Sequence, residues 1–267
     1  MIWKGLILAV ALGASLFMLD AFARQALYPA PSVPVSSPPP PLEEVKLELA
    51  TGDTVVGWAG AAPSLPAGAP VALFFHGNGE NLETMRRAGM YEELESLGIA
   101  FLAVDYPGYG RSSGRPSEEG LMVTGEAVLA WARRRHPGRP VVLCGWSLGA
   151  ATAIPTAARH PEEVRGLIAL SPWSSLEDVA SHHFPPFLVK ALLRERYDSL
   201  AAARRIHIPA LVIHGDHDDL IPASQGRQIA EALAGPKQWV LVPGAGHNDL
   251  FSRPEVWREI AAFLRSL

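Results

Sequence analysis

The chain has 267 residues, of which 48% are hydrophobic, a length and composition that fit one large domain with a substantial core. Its formal net charge of −4 excludes a strongly basic, nucleic-acid-binding character, so we expect no nucleic-acid partner. A single cysteine, Cys144, excludes an internal disulfide, and no spacing typical of structural zinc is present, so no metal is expected.

The first element is an uncharged, largely apolar run over residues 5–19, preceded by Lys4 and followed by Asp20. As a helix this run spans roughly 22 Å, which is short of the ~20 residues that usually cross a bilayer. Two interpretations of residues 1–24 stay open. One is a signal peptide cleaved near 21–23, and the other, which we favour, is a retained membrane anchor. In both interpretations, the positive charge before the apolar run predicts that the rest of the chain is exported. The exported domain is then either anchored in the cell envelope or secreted.

A proline-rich linker follows over residues 25–41. Prolines fix φ and remove backbone donors, which excludes a regular helix or strand. We expect a semi-extended, polyproline-like stalk that acts as a spacer between the membrane and the next domain. A binding site for a proline-recognition module is the alternative.

Short apolar runs alternate with helical patterns throughout residues 42–267. Two runs joined around Gly52-Asp53 predict an antiparallel hairpin, and fully apolar runs such as VALFFHG and PVVLCGW predict buried strands. Helices are expected over about 82–97 and 117–135, and after Pro254. This alternation predicts an α/β fold with a mostly parallel eight-stranded sheet and helices on both faces.

One segment, residues 173–205, interrupts the alternation. It contains prolines and a short helical pattern, FLVKALLRERY, and we interpret it as a small lid. The candidate chemical groups all follow strands, and in parallel sheets the carboxyl ends of the strands form the edge at which ligands bind.

The strongest motif is the sequence GWSLG at residues 145–149, which matches the G-x-S-x-G nucleophile elbow. The VVLC strand before it and the ATAIPTAAR helix after it supply the context that this motif requires. A serine at such a turn is held in strained backbone geometry with its hydroxyl above the sheet. We therefore expect Ser147 to be a nucleophile.

A serine hydroxyl needs a base, and the base needs an acid that fixes its tautomer. His247 follows the last apolar strand and is the expected base. Three aspartates follow the next-to-last strand. Asp218 is the expected acid, whereas Asp216 is expected to brace the loop and Asp219 to face solvent. The chain order Ser, Asp, His is the order of α/β hydrolases.

An oxyanion intermediate needs two backbone N–H donors. One is expected from Leu148, directly after the nucleophile, and the other from the loop after the VALFF strand. We choose Asn78 in that loop, with Gly79 as the second choice, and expect the ring of His76 to be structural.

Taken together, the motifs HGNG, DYPGYGRSSG, GWSLG, HGDHDDLIP and GAGHND resemble the α/β-hydrolase superfamily. More narrowly, they resemble its serine aminopeptidase-like branch with an N-terminal membrane helix, which holds lipid- and thioester-cleaving enzymes. The resemblance covers about residues 42–267 and implies no cofactor. It implies a nucleophile, an acid, a base and two oxyanion donors at Ser147, Asp218, His247, Asn78 and Leu148.

These expectations predict a serine hydrolase that cleaves carboxylic esters or thioesters of small-molecule or lipid acyl substrates and is bound to a membrane through its N-terminal helix. Candidate substrate-pocket residues are Trp146, Trp173 and Phe184, with ordinary packing as the alternative for each.

Two other functions are compatible with parts of the sequence. A peptidase that releases N-terminal residues would need an acidic pocket for the substrate amine, which Glu177, Asp178 and Glu195 could supply. A non-catalytic binding module on the same scaffold is disfavoured, because such proteins commonly lose a catalytic residue and all three are present.

Overall fold

The computed structural model describes residues 27–267, so the predicted N-terminal anchor or signal at 1–24 lies outside the described residues. Across the described part, none of the helices has the length and apolar character that crossing a bilayer requires. The strands are β1 (Glu43–Glu48), β2 (Thr54–Ala61), β3 (Val71–Phe75), β4 (Ala100–Val104), β5 (Val141–Trp146), β6 (Val164–Leu170), β7 (Ala210–Gly215) and β8 (Lys237–Val242).

The strands form one eight-stranded sheet in the order β1-β2-β4-β3-β5-β6-β7-β8. β1 pairs with β2 and β2 with β4 in antiparallel fashion, and the other neighbours are parallel. The predicted mostly parallel eight-stranded sheet and the hairpin at its edge are therefore confirmed. The reason lies in the strands: β3, β4, β5 and β7 are buried along their whole length, as expected of strands covered on both faces.

Successive side chains of a strand point to opposite faces, and each face has its own hydrophobic core. In β3, Leu73 and Phe75 pack into one core, whereas Ala72 and Phe74 pack into the other. The helices that cover these faces are α1 (Leu82–Arg87), α2 (Met90–Ser96), α3 (Glu118–Arg135), α4 (Ala150–Arg159), α5 (Leu176–His183), α6 (Pro186–Leu192), α7 (Ser199–Ala203), α8 (Ala223–Ala232) and α9 (Pro254–Ser266).

The single helix predicted over 82–97 is wrong, because the structure has two short helices there, α1 and α2. Gly89 separates them with φ 75°, a left-handed conformation that ends an α-helix and that glycine adopts without steric cost. Periodicity alone did not reveal this break, since the apolar spacing continues across it.

The segment predicted to be a lid folds into α5, α6 and α7, between β6 and β7. Apolar side chains around the junction of α5 and α6 face outward: Phe184 and Phe187 are 64% and 71% exposed. His183 Nε2 lies 2.8 Å from the carbonyl oxygen of Leu220, which connects this lid to the loop after β7.

The proline-rich segment has no helix or strand over residues 28–40, as its prolines predict. It does not stand clear of the domain as a stalk, however. We name residues 27–36 the N-terminal strap, because they lie against the loop that follows β3. The side chain of Tyr28 is only 4% exposed and belongs to one of the two cores. A buried aromatic ring supplies an attachment that proline content alone did not reveal.

Candidate active site

The nucleophile elbow has the strained geometry that its motif predicts. β5 leads into Ser147, whose φ of 56° lies in the left-handed region that non-glycine residues rarely occupy, and a 3₁₀ turn over Ser147–Gly149 then leads into α4. A Cβ atom at Gly145 would lie 2.2 Å from the carbonyl oxygen of Gly149, so the turn closes only around glycine. The result is a serine fixed at the carboxyl end of a central strand.

The imidazole of His247 reaches this serine from the loop after β8. Its Nε2 atom lies 3.0 Å from Ser147 Oγ, and its ring packs 5.3 Å from the ring of Trp146. The loop is braced locally, because the backbone N–H of Gly246 donates to Asp249 Oδ1 at 2.6 Å. The imidazole is thus held at hydrogen-bonding distance from the hydroxyl.

The carboxylate of Asp218 completes the hydrogen-bonded chain. Its Oδ2 lies 2.7 Å from His247 Nδ1, and its Oδ1 accepts from the backbone N–H groups of Leu220 and Ile221 at 3.0 and 2.7 Å. Burial raises the pKa of this carboxyl, but hydrogen bonds from His214 and His247 outweigh that effect and hold the pKa well below its ordinary value. Asp218 is therefore ionised at neutral pH.

His214 is a component of the site that sequence reasoning missed. It lies fully buried at the end of β7, with Nε2 2.9 Å from the carbonyl oxygen of Ile221 and 3.2 Å from Asp218 Oδ2. The motif HGDHDDLIP begins with this residue, which was the available signal. Its position steadies both the carboxylate and the loop that presents it.

The loops that carry the acid and the base pack against each other. Asp216 Oδ1 accepts from the backbone N–H of Gly244 at 2.6 Å, so Asp216 braces the loop as predicted, and Asp219 is exposed as predicted. A Cβ atom at Gly215 would lie 2.1 Å from the carbonyl oxygen of Ala245, so the two loops touch backbone to backbone. This contact fixes the separation between the carboxylate and the imidazole.

The predicted oxyanion donors lie on two segments that meet beside the serine. Leu148 follows the nucleophile in the single 3₁₀ turn before α4. A Cβ atom at Gly149 would lie 1.9 Å from the carbonyl oxygen of Phe75, so the elbow touches the end of β3, from which the Asn78 loop departs. Both backbone segments are therefore present at this edge of the sheet.

The side chain of Asn78 is engaged at both ends. Its Nδ2 donates to the carbonyl oxygen of Leu27 at 2.6 Å, and its Oδ1 accepts from the hydroxyl of Tyr109 at 2.6 Å. The side-chain amide is thus occupied by the protein itself, and the predicted oxyanion role of the Asn78 backbone N–H stays a prediction. Sequence reasoning missed both Tyr109 and Leu27 as neighbours of this loop.

His76 supports the loop from beneath, as predicted. It is fully buried, with Nδ1 2.8 Å from the carbonyl oxygen of Gly77 and Nε2 3.2 Å from Asp105 Oδ1, and its own carbonyl accepts from the hydroxyl of Tyr106 at 2.6 Å. Burial lowers the pKa of His76, but the hydrogen bond and charge of Asp105, the charge of Glu80 and a backbone hydrogen bond at Gly77 together raise it more, so the net pKa lies above the ordinary value. The ring serves to hold the loop.

The three residues suggested for a substrate pocket have different surroundings. Trp146 is buried, and a Cβ atom at Gly77 would lie 2.5 Å from its ring. Trp173 is 5% exposed and meets the ring of Tyr197 edge to face at 6.1 Å. Phe184 is exposed on the lid. The two tryptophans pack closely with the protein, and only the phenylalanine presents its ring to solvent.

The carboxylates suggested for a peptidase pocket do not gather at the serine. Glu177, Asp178 and Glu195 line a cavity of 480 Å³ in the lid, whose lining includes neither Ser147 nor His247. Asp178 accepts from two serine hydroxyls at 2.7 and 2.8 Å. These three carboxylates therefore give no support for an amine site beside the nucleophile.

Cys144 is unsuited to act as a second nucleophile. It lies buried in β5, and burial raises the pKa of its thiol well above the ordinary value, which disfavours the reactive thiolate. Over residues 27–267, no group of three or more His, Cys, Asp or Glu side chains is arranged to hold a metal ion.

The fold, and the Ser147, His247 and Asp218 side chains at the edge of its sheet, are typical of one class of protein, and similar proteins of known sequence and structure belong to the same class. A family model described as alpha/beta hydrolase fold matches residues 70–197. The chain is 35% identical over 244 residues to uncharacterized protein Rv2307c of Mycobacterium tuberculosis, and the matched region covers 90% of this chain and 85% of that protein. The chain belongs to the α/β-hydrolase superfamily.

Other relatives include human alpha/beta hydrolase domain-containing protein 17B, 34% identical over 181 residues, or 67% of this chain and 60% of the human protein. A solved structure of the Pyrococcus furiosus esterase Pf2001 has a TM-score of 0.72 at 20% identity, covering 89% of this chain and 97% of the esterase. At that identity the likeness shows the fold alone. The chain is a hydrolase of the α/β fold, and its place in the serine aminopeptidase-like branch stays a prediction.

Proposed function

We propose that this chain is a serine hydrolase that cleaves carboxylic esters or thioesters of acyl substrates through an acyl-enzyme. The observation that carries the proposal is the hydrogen-bonded chain from Ser147 Oγ to His247 Nε2 at 3.0 Å and from His247 Nδ1 to Asp218 Oδ2 at 2.7 Å. All three residues are less than 9% exposed, so their hydrogen bonds lie largely out of water.

The ionised Asp218 determines what the imidazole can do. Because the carboxylate only accepts, Nδ1 of His247 carries the proton and Nε2 presents its lone pair to the hydroxyl. Ser147 Oγ then attacks the acyl carbon while Nε2 takes its proton. The imidazolium that forms lies beside the carboxylate, which stabilises its charge.

The oxyanion accepts hydrogen bonds from the backbone N–H groups of Asn78 and Leu148. Collapse of the tetrahedral intermediate breaks the bond to the alcohol or thiol, which leaves with the proton from His247 Nε2. Water then attacks the acyl-enzyme with the imidazole again acting as base. The carboxylic acid product departs, and the free hydroxyl of Ser147 is regenerated. These steps require no cofactor.

Apolar side chains on the lid support an acyl substrate. Phe184, Phe187 and Leu192 are 64%, 71% and 53% exposed, and Leu220, two residues after the acid, is 47% exposed. Contiguous apolar patches on a protein surface mark sites that bind apolar ligands or other surfaces. A hydrocarbon acyl chain matches this surface better than a charged substrate does.

The decisive experiment compares Ser147→Ala with a matched serine control. We expect Ser147→Ala to reduce p-nitrophenyl ester hydrolysis to the residual ~10³–10⁴-fold enhancement over water that binding and the oxyanion site supply. Ser96→Ala, at an exposed position on α2, should leave the rate unchanged. Fluorophosphonate should label the wild type and Ser96→Ala but not Ser147→Ala. Full esterase activity in Ser147→Ala would contradict the proposal.

Acyl-chain preference can be measured on the same protein with p-nitrophenyl esters of increasing length. A rate maximum at long chains indicates a lipid-type substrate, and a maximum at short chains indicates a general esterase. A parallel series of acyl thioesters separates the two leaving groups.

We further propose that residues 1–24 anchor the protein in a membrane and place the hydrolase domain on the exported side. Sequencing the N-terminus of the mature protein tests this: retention of the first 24 residues supports an anchor, and a new terminus near residue 24 indicates a cleaved signal.

A further inference from the structure

The N-terminal strap, residues 27–36, follows the loop on which the proposed oxyanion donor lies. The carbonyl oxygen of Leu27 accepts from Asn78 Nδ2 at 2.6 Å, and the carbonyl oxygen of Val33 accepts from Asn81 Nδ2 at 2.9 Å. The order of the contacts is the same in both segments. The strap therefore runs alongside the loop and supplies backbone acceptors to two of its side chains.

The contact continues into the helix that follows the loop. Ser36 Oγ donates to Glu83 Oε2 at 2.9 Å, at the start of α1. Asn81 is fully buried and forms the N-cap of that helix, accepting from the backbone N–H of Thr84 at 2.9 Å. The strap thus contacts the loop at one end and the capped helix at the other.

Tyr28 fixes the strap in place next to its contact with Asn78. Its ring is buried, and its hydroxyl lies 2.6 Å from that of Tyr197 and also contacts the carboxylate of Glu195, both in the part of the lid between α6 and α7. The same carboxylate accepts from the backbone N–H of Glu118 at 3.0 Å, at the start of α3. One buried side chain thereby joins the strap to the lid and to the central domain.

The loop itself has reasons to need such support. Asn78 lies between Gly77 and Gly79, and glycine lowers the energetic cost of backbone motion. Its side-chain amide has two described contacts, one to Tyr109 from the domain and one to Leu27 from the strap. Loss of the second contact leaves the amide held at its oxygen alone.

We propose that the first two residues of the strap, Leu27 and Tyr28, are a working part of the active site and position the loop that presents the Asn78 backbone N–H to the oxyanion. This inference rests on the proposed function. Leu27 and Tyr28 are positioning residues, because they act through Asn78. The chain between the N-terminal apolar run and the hydrolase domain then has a second role besides connecting the two.

The expected effect falls on the chemical step. Removal of an oxyanion donor costs ~10²–10³-fold in kcat, and misplacement costs part of that. A displaced strap should therefore lower kcat by about 10- to 100-fold while KM changes less than about threefold, because the oxyanion exists only in the intermediate and its flanking transition states. A merely structural role would lower the amount of folded enzyme and leave kcat per labelled site unchanged.

The experiment uses the full-length chain with Tyr28→Ala, Tyr28→Phe and Ser36→Ala. Tyr28→Ala removes the buried ring and should show the selective loss in kcat. Tyr28→Phe keeps the ring and should restore kcat to within about threefold of the wild type. Ser36→Ala breaks a strap contact to α1 rather than to Asn78 and should keep wild-type kcat. Active sites are counted by fluorophosphonate labelling.

Hydrogen exchange of the backbone amides of residues 77–80 gives a readout that does not depend on turnover. Exchange there should be faster in Tyr28→Ala than in the wild type or in Ser36→Ala. If the wild type hydrolyses no ester, the proposed function and the catalytic part of this inference both fail, whereas exchange still decides whether the strap orders the loop.

Three results would overturn the inference: unchanged exchange at 77–80 in Tyr28→Ala, unchanged kcat in that variant, or a higher kcat, which would make the strap an obstruction. If Tyr28→Ala does not fold, Asn78→Ala removes the side-chain contacts to both Leu27 and Tyr109 while keeping the backbone N–H. The same selective loss of kcat is then expected, and wild-type kcat in Asn78→Ala would refute the proposal.

Discussion

The contacts around Asp218 lead to a specific expectation for Asp218→Asn. Oδ1 accepts from two backbone N–H groups, of Leu220 and Ile221, whereas Oδ2 faces His247 Nδ1. An amide has one oxygen, and turning its NH₂ toward the two backbone donors would leave both unpaired at roughly 1–3 kcal/mol each. The amide oxygen therefore takes the backbone side, and its NH₂ faces the imidazole.

That orientation reverses the tautomer of His247. Nδ1 must now accept, so the proton moves to Nε2, which can no longer take a proton from Ser147. We expect kcat to fall by about 10⁴-fold, equivalent to ~5 kcal/mol of barrier. Stability should change less than in Asp218→Ala, since the alanine leaves the two backbone donors at Leu220 and Ile221 without an acceptor.

The assay is steady-state hydrolysis of a p-nitrophenyl ester, and the active sites of the wild type are counted by titration. Urea unfolding measures the stability of each variant. Asp219→Asn is the matched control, because that exposed side chain lies one residue away and should be silent. A kcat for Asp218→Asn within tenfold of the wild type would refute the tautomer argument.

Two further predictions concern stability. Gly149→Ala gains about 1 kcal/mol in helix propensity but places Cβ 1.9 Å from the carbonyl oxygen of Phe75, so urea unfolding should show a net loss of stability of at least about 2 kcal/mol. The control is Gly79→Ala, at an exposed position where the added Cβ has no atom within 4 Å. Equal stability of the two variants would contradict the packing argument. Hydrogen bonds from Arg86 lower the pKa of Glu83 from 4.5 to about 2, so Glu83 binds fewer protons in the folded state and its stabilising contribution falls as pH drops through that interval. The stability advantage of the wild type over Glu83→Gln, measured by urea unfolding, should therefore be full near pH 6 and shrink toward about pH 2; an advantage that does not change with pH would contradict this.

Much of the fold could be predicted because its signals are local. A buried parallel strand is apolar along its whole length, and this pattern makes β3 and β5 recognisable in the sequence. The expected placement of Ser147, Asp218 and His247 followed from the same topology, since each lies after a strand whose carboxyl end meets the others at one edge.

The features that escaped prediction depend on contacts between distant segments. His214 begins the motif HGDHDDLIP, but its distance from Asp218 follows only from the turn between them. The burial of Tyr28 depends on Glu195 and Tyr197, which are 167 and 169 residues away. Proline content describes the local backbone of that segment correctly and carries no information about such contacts.

The sequence separation between Ser147 and His247, which is 100 residues, has a consequence for biosynthesis. A ribosome adds about 5–20 residues per second, so the elbow precedes the imidazole by about 5–20 s of translation. Through that interval the nascent polypeptide holds an alcohol without the ring that would activate it. Under the roles proposed above, the enzyme can hydrolyse its substrate only after the loop that follows β8 has been synthesised and has packed beside Ser147. An incomplete translation product that lacks this loop is therefore inactive toward acyl groups.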